Sequence, residues 1–204
     1  MPAEHSRKLI VVPGFNASEE RVKFFQKATQ PWEQQGITSL VVPVPWHEGD
    51  HLTHLDMLDD TVSREISGGN KVSLLGASAG GVLAINALAE NPEIDKVITV
   101  SSRIKPTTIE GYLDLESIRD LSPSSAEGIE LLDASKDDSL PPELRSRIMN
   151  TRALSGDDQV PPQLSYLEGA YNVWMPPARS HIDAVTTAMT KHSGIIIDFL
   201  KQED

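Results

Sequence analysis

The chain has 204 residues, of which 39 % are hydrophobic and 24 % are charged, a composition that suits one globular domain over residues 1–204. Its formal net charge of −12 disfavours contact with phosphate backbones and anionic lipids, so we expect neither nucleic acid nor a membrane as a partner. The absence of cysteine excludes disulfides and a thiol nucleophile. No apolar run approaches the roughly 20 residues that cross a bilayer, and the first residues carry no apolar leader, so we expect a cytoplasmic protein.

Strand patterns alternate with helix patterns along the chain. We predict strands at 8–12, 38–44, 71–75, 96–100, 150–155 and 171–175. We predict helices that begin at Ser18 and end before Pro31, that span 52–66, 79–90 and 182–201 with a break near Gly194, and short ones near 109–118, 125–134 and 142–148. This order predicts an α/β fold, a three-layer α/β/α sandwich around about six mostly parallel strands.

Two local patterns refine these predictions. Pro43 and Pro45 put the second strand at a sheet edge or end it early, because proline cannot donate to the ladder. Apolar residues at helical spacing predict one buried face for the second helix, made of Leu52, Leu55, Leu58, Val62 and Ile66.

The third strand runs directly into Gly76-Ala77-Ser78-Ala79-Gly80, and an alanine-rich helix follows at once. Strand, G-x-S-x-G and helix in this order are typical of a nucleophile elbow, in which a sharp turn lifts the serine hydroxyl clear of the sheet. Ser78 also begins a helix, where backbone amides favour a developing anion. We therefore interpret Ser78 as a nucleophile rather than only a helix cap.

A serine hydroxyl needs a neighbouring base to take its proton. In folds with this elbow the base histidine follows the serine along the chain, which leaves His181 and His192. His181 follows the sixth predicted strand, at the sheet edge where Ser78 lies, whereas His192 belongs to a polar helical stretch. We therefore favour His181 as the base.

These motifs together resemble the α/β-hydrolase family over nearly the whole chain, and its small, lid-poor branch in particular. In that family the acid precedes a valine by three residues and a proline by four, which implies Asp157 and leaves Asp158 as the alternative. The loop after the first strand resembles the family's His-Gly loop, with Pro13 in place of histidine. The resemblance implies oxyanion donors at the amides of Phe15 and Ala79, with Asn16 able to assist.

The predicted function is an esterase-like serine hydrolase that forms an acyl-enzyme on a small acyl substrate and needs no metal or organic cofactor. Thioester, lactone and peptide bonds remain open because they share the triad chemistry. The alternative is a hydrolase fold retained as a ligand-binding or protein-interaction module with weak turnover.

Other groups near the predicted site are less specific. The segment 46–54 contains three histidines and two acids, which matches no zinc signature and fits a site rim or plain surface better than a metal site. Trp46 and Phe15 form either an apolar wall for an acyl group or part of the core. Arg103, Lys105 and Arg179 fall in strand-end loops and either attract an acidic substrate or are simply solvated.

Overall fold

The computed structural model describes residues 6–15, 18–104 and 140–203. Six parallel strands form one sheet in the order β2-β1-β3-β4-β5-β6. The strands are β1 (Arg7–Val12), β2 (Ile37–Val41), β3 (Lys71–Ala77), β4 (Val97–Val100), β5 (Ile148–Ala153) and β6 (Tyr171–Met175). The α/β prediction with about six parallel strands is confirmed.

Helices follow most strands and cover both faces of the sheet. The helices are α1 (Glu19–Thr29), α2 (His51–Ser67), α3 (Ala79–Glu90), the single turn α4 (Pro142–Arg145), α5 (His181–Thr190) and α6 (Ser193–Lys201), with 3₁₀ turns at Gln30–Gln35 and Pro162–Leu164. Ser18 caps α1 by accepting the Arg21 amide, as its place before two acids predicts.

The core forms two layers because side chains of a strand alternate between faces. Ile10 and Val12 of β1 pack in the layer that contains residues of α2 and α3. Leu9 and Val11 point the other way, into the layer that contains residues of α1, α5 and α6. This is the predicted three-layer sandwich, with the helices segregated to the two faces of one sheet.

Several predicted boundaries shift for physical reasons. β2 is an edge strand that ends at Val41, before the two prolines. The closing helix divides at Lys191 and His192, just before Gly194. The predicted face of α2 is buried at Leu55, Leu58 and Val62, but Leu52, in the first turn of the helix, is 64 % exposed.

Other boundaries lie close to the predictions. β5 begins and ends two residues earlier than predicted, and α4 is one turn instead of a longer helix. The predicted short helices at 109–118 and 125–134 lie outside the described residues.

Strand order creates the place for a site. The chain passes from β1 outward to β2 and then returns to the other side of β1 at β3. Parallel sheets bind ligands outside the carboxyl ends of their strands where the order reverses in this way. The loops after β1 and β3 meet there, and they carry Phe15 and Ser78.

Candidate active site

Ser78 occupies the tight turn between β3 and α3. Its backbone has φ 56° and ψ −125°, and its amide donates to the carbonyl of Val100 on β4 at 2.9 Å. Among the described residues, only Ser78 and Ser101 are non-glycine residues with positive φ. A conformation of this kind costs about 1–3 kcal/mol and persists only where the surroundings enforce it. The strained turn predicted from the sequence is therefore present.

The flanking glycines are required by close packing. A Cβ on Gly76 would lie 2.2 Å from the carbonyl oxygen of Gly80, and one on Gly80 would lie 2.1 Å from that of Val12. Any side chain at either position would push α3 away from β3 or from β1. The glycines thus allow the helix to begin immediately above the sheet.

His181 is the first residue of α5 and its ring contacts an acid from the loop after β5. The Nδ1–H of His181 donates to Oδ2 of Asp157 at 3.0 Å, and both side chains are almost fully buried. The Nε2 atom of His181 is buried and has no hydrogen-bond partner among the described residues. With Nδ1 as the donor, Nε2 is the ring atom that is available to accept a proton.

Asp157 is held by its backbone neighbours as well as by the histidine. Its Oδ1 accepts the amides of Gln159 at 2.8 Å and Val160 at 2.7 Å. Burial acts most strongly and raises the pKa of Asp157, but the hydrogen bond and charge of His181 and these two amides together outweigh it. The pKa of Asp157 is therefore below its ordinary value, and the carboxylate form is favoured.

The alternative acid contacts the same histidine differently. Oδ1 of Asp158 accepts the backbone amide of His181 at 2.5 Å, so this carboxylate holds the start of α5 and not the ring. His192 lies beyond the far end of α5, a helix of 10 residues and therefore about 15 Å long. The structure brings Asp157 and His181 together and leaves His192 apart.

A small pocket, with a cavity volume of about 20 Å³, opens beside the Ser78 side chain. Its lining combines residues from the loops after β1, β4 and β5 with the first turns of α3: Phe15, Ser78, Ala79, Val82, Arg103, Gln159 and Val160. Four of these seven residues are apolar. The guanidinium of Arg103 donates through Nε to the carbonyl of Gln159 at 2.7 Å.

The loop after β1 lies directly against the Ser78 side chain. A Cβ on Gly14 would lie 2.6 Å from Cβ and 3.2 Å from Oγ of Ser78. The amide of Phe15, the next residue, therefore belongs to a backbone segment that lies beside Ser78. Ala79, whose amide begins α3, lines the same pocket.

No known family model matches the sequence, and no curated protein matches it either. Solved structures do match along almost the whole chain. A lipase from Bacillus licheniformis superposes with a TM-score of 0.70 at 15 % identity, over 98 % of this chain and 94 % of its own. An α/β-hydrolase enzyme from the metagenome of sediments of the lagoon of Mar Chica, Morocco, gives 0.68 at 17 % identity, over 97 % and 91 %. Est1E from Butyrivibrio proteoclasticus gives 0.66 at 14 % identity, over 98 % and 90 %.

The chain has the α/β-hydrolase fold. Ser78 lies in the strand-to-helix turn between β3 and α3 of this fold. The loop after β1, with Phe15, and the loop after β5, with Asp157, lie at the same edge of the sheet.

The histidine-rich segment 46–54 lies mostly at the surface, as predicted, but three of its nine residues are buried: Trp46, His51 and His54. His51 and His54 are 6 % and 1 % exposed, and Asp50 caps α2 by accepting the Thr53 amide. The side-chain amide of Asn86 donates to Nε2 of His51 at 2.5 Å. In the described part of the chain, no three acidic, histidine or cysteine side chains gather as metal ligands do.

The remaining predicted residues divide into three groups. Trp46 is 2 % exposed and lies behind Phe15, so only Phe15 of this pair lines the pocket. Arg179 is exposed, and its amide donates to Asp183. Asn16 and Lys105 lie outside the described residues.

Sequence reasoning did not identify Val82, Gln159 and Val160 as pocket residues. A signal existed for each of them: Val82 lies four residues after Ser78 at the start of the same helix, and Gln159 and Val160 lie two and three residues after Asp157. The described helices also include none that combines the length and the apolar character needed to cross a bilayer.

Proposed function

We propose that this protein is a serine hydrolase that cleaves small carboxylic esters through an acyl-enzyme on Ser78. His181 is the general base, Asp157 orients it, and the amides of Phe15 and Ala79 form the oxyanion hole. One observation carries the proposal. A strained serine in a pocket and a buried histidine–aspartate pair both lie at the carboxyl ends of the parallel strands, and the second ring nitrogen of the histidine has no partner among the described residues. Solved lipases and esterases of the same fold add support.

Acylation begins when Oγ of Ser78 attacks the ester carbonyl carbon and Nε2 of His181 takes the hydroxyl proton. The carbonyl oxygen becomes an oxyanion that accepts hydrogen bonds from the Phe15 and Ala79 amides. The carbon–oxygen bond to the alcohol then breaks, and His181 returns its proton to the departing alkoxide. The carboxylate of Asp157 stabilises the imidazolium while the proton is on the ring.

Deacylation repeats these steps with water as the nucleophile. His181 removes a proton from water, and the hydroxide adds to the acyl carbon. The bond to Ser78 breaks, His181 protonates Oγ, and the carboxylic acid is released. The serine hydroxyl and Nε2 of His181 would come within hydrogen-bond distance when substrate binds, since catalytic hydrogen bonds often form fully only in the substrate complex.

The pocket supports a short acyl group. Its cavity volume of about 20 Å³ is far below the roughly 300–1,000 Å³ that is usual for sites of drug-sized ligands, which favours a small acyl group. Phe15, Val82 and Val160 provide apolar contacts for a short hydrocarbon chain. We therefore propose short-chain esters as substrates, and comparison with a matched thioester and lactone in the same assay identifies the bond.

The test combines turnover with covalent labelling. Ser78→Ala should lower kcat for a short p-nitrophenyl ester by on the order of 10⁶, as in an unrelated triad protease. A fluorophosphonate should label the unmodified protein on the peptide that contains Ser78. Ser101→Gly is the control, because Ser101 is also strained at φ 48° and glycine tolerates that backbone.

The expected result is that the Ser101→Gly protein is labelled and active, whereas the Ser78→Ala protein is neither. Wild-type turnover by Ser78→Ala would overturn the proposal. Folded wild-type protein that is never labelled would favour the binding-module alternative instead.

A further inference from the structure

Trp46 is buried behind the pocket wall, and its single polar group is directed at the loop after β1. The indole Nε1–H of Trp46 donates to the carbonyl of Gly14 at 3.0 Å. The side chain is 2 % exposed and does not line the pocket. It therefore acts on the site through the backbone of Gly14 and not through contact with substrate.

The carbonyl of Gly14 and the amide N–H of Phe15 belong to one peptide group. A trans peptide is planar and rigid, so its C=O and N–H point in opposite directions, and none of the described peptides is cis. Fixing the Gly14 oxygen therefore fixes the direction in which the Phe15 N–H points. The same hydrogen bond polarises the peptide and strengthens that N–H as a donor.

Gly14 makes an external anchor necessary. Its Cα must approach Ser78 so closely that a Cβ would lie 2.6 Å from the serine Cβ, which excludes every other residue. Glycine has the widest choice of backbone angles, so the following peptide can rotate unless another group holds it. Trp46 supplies a hydrogen bond to that peptide.

Trp46 itself is fixed on two sides. Its indole packs edge-to-face on the ring of Phe15, with centroids 5.1 Å apart, and on that of His54, with centroids 5.2 Å apart. The Nε2–H of His54 donates to the carbonyls of Glu48 at 2.7 Å and Pro45 at 3.2 Å. His54 thus closes the turn that carries the tryptophan, which is a structural reason for a buried histidine in the segment 46–54.

We propose that Trp46 is a positioning residue of the oxyanion hole: its indole N–H holds the Gly14 carbonyl and so directs the Phe15 amide at the reacting oxygen. The proposal rests on the proposed serine hydrolase activity. Its specific consequence is that the loss of one N–H, with the ring retained, weakens transition-state binding and leaves ground-state binding unchanged.

The test replaces Trp46 by 3-benzothienylalanine, which has nearly the shape of tryptophan and has sulfur in place of the N–H. Trp46→Phe is the second variant, and the same replacement at Trp32, also 2 % exposed but in the opposite core layer, is the matched control. The measurements are kcat and KM for a short p-nitrophenyl ester and the affinity for a trifluoromethyl ketone, which binds as an oxyanion.

Removal of an oxyanion donor itself costs about 10²–10³ in kcat, so loss of its anchor should cost about 10-fold to 100-fold. KM should stay unchanged, ketone affinity should fall by a factor similar to that in kcat, and the Trp32 control should retain wild-type values. A folded Trp46 variant with wild-type kcat overturns the proposal, and so does one in which only KM changes. Failure of the proposed function is distinguishable, because the unsubstituted protein would then show neither turnover nor fluorophosphonate labelling.

Discussion

Asp157→Asn changes one atom of the buried acid and, through it, the tautomer of His181. Oδ1 of Asp157 accepts two backbone amides at 2.7 and 2.8 Å, so the asparagine must keep its carbonyl oxygen on that side. Its NH₂ group then faces Nδ1 of His181, which lies 3.0 Å from Oδ2 in the unsubstituted protein. The ring must accept at Nδ1 and carry its proton on Nε2, where it could not perform its proposed role of taking the proton of Ser78.

The magnitude follows from the cost of restoring the active tautomer. That requires turning the asparagine amide over, which removes both backbone hydrogen bonds and sets NH₂ against two N–H groups. Each buried polar group left without a partner costs about 1–3 kcal/mol. The total of about 2–6 kcal/mol corresponds to a loss of about 30-fold to 10⁴-fold in kcat, and the equivalent change in a triad protease lies at the upper end of this range.

The assay compares this variant with Asp158→Asn. The asparagine oxygen at 158 still accepts the His181 backbone amide, so we expect only a small change in kcat for a p-nitrophenyl ester. Asp157→Asn keeps its three hydrogen bonds and should unfold at nearly the same urea concentration. Turnover by a folded Asp157→Asn protein within about tenfold of wild type, below the expected loss, would refute this reasoning, as would a larger loss at Asp158.

Three further predictions test neighbouring contacts. Gly14→Ala should abolish most ester turnover, because its Cβ would push the loop away from Ser78; wild-type kcat in this variant would contradict the close approach. Arg103→Met removes a charged donor from the Gln159 carbonyl. We therefore expect calorimetry to give a lower melting temperature and the ester assay a lower kcat/KM, and unchanged values of both would contradict this prediction. Burial above all lowers the pKa of His51 from 6.5, so unfolding free energy should fall as the pH drops below that value. His51→Gln should reduce the difference in unfolding free energy between pH 7.5 and pH 5.5, measured with urea. An equal difference in the variant and the wild type would contradict this prediction.

Acid should also destabilise the fold through Asp157. Its folded pKa is below the ordinary value of 3.8, so its contribution to stability is complete above that pH and is lost as the pH falls through the folded value. The free energy of unfolding, measured with urea between pH 5 and pH 2, should therefore change less with pH for Asp157→Asn than for wild type. Identical slopes would mean that the carboxylate contributes no pH-dependent stability.

The sequence alone determined the fold class and the turn at Ser78. The reason is that both are local: alternating strand and helix patterns predict a parallel sheet, and G-x-S-x-G between a strand and a helix permits few backbone paths. β6 and α3 have the bounds that were predicted, since glycine, proline and apolar periodicity mark their ends. Pairing of an acid with His181 was predicted from chain order and family spacing.

Only the tertiary structure decided which groups the buried polar atoms contact. Two adjacent aspartates look alike in sequence, yet Asp157 contacts the His181 ring and Asp158 its backbone, because the turn after β5 directs them differently. Trp46 and His54 belong to the segment 46–54, which the sequence predicted to be a site rim or plain surface. Their roles depend on the loops after β1 and β2 lying side by side, 32 residues apart in the chain from Gly14 to Trp46, and no local pattern encodes that contact.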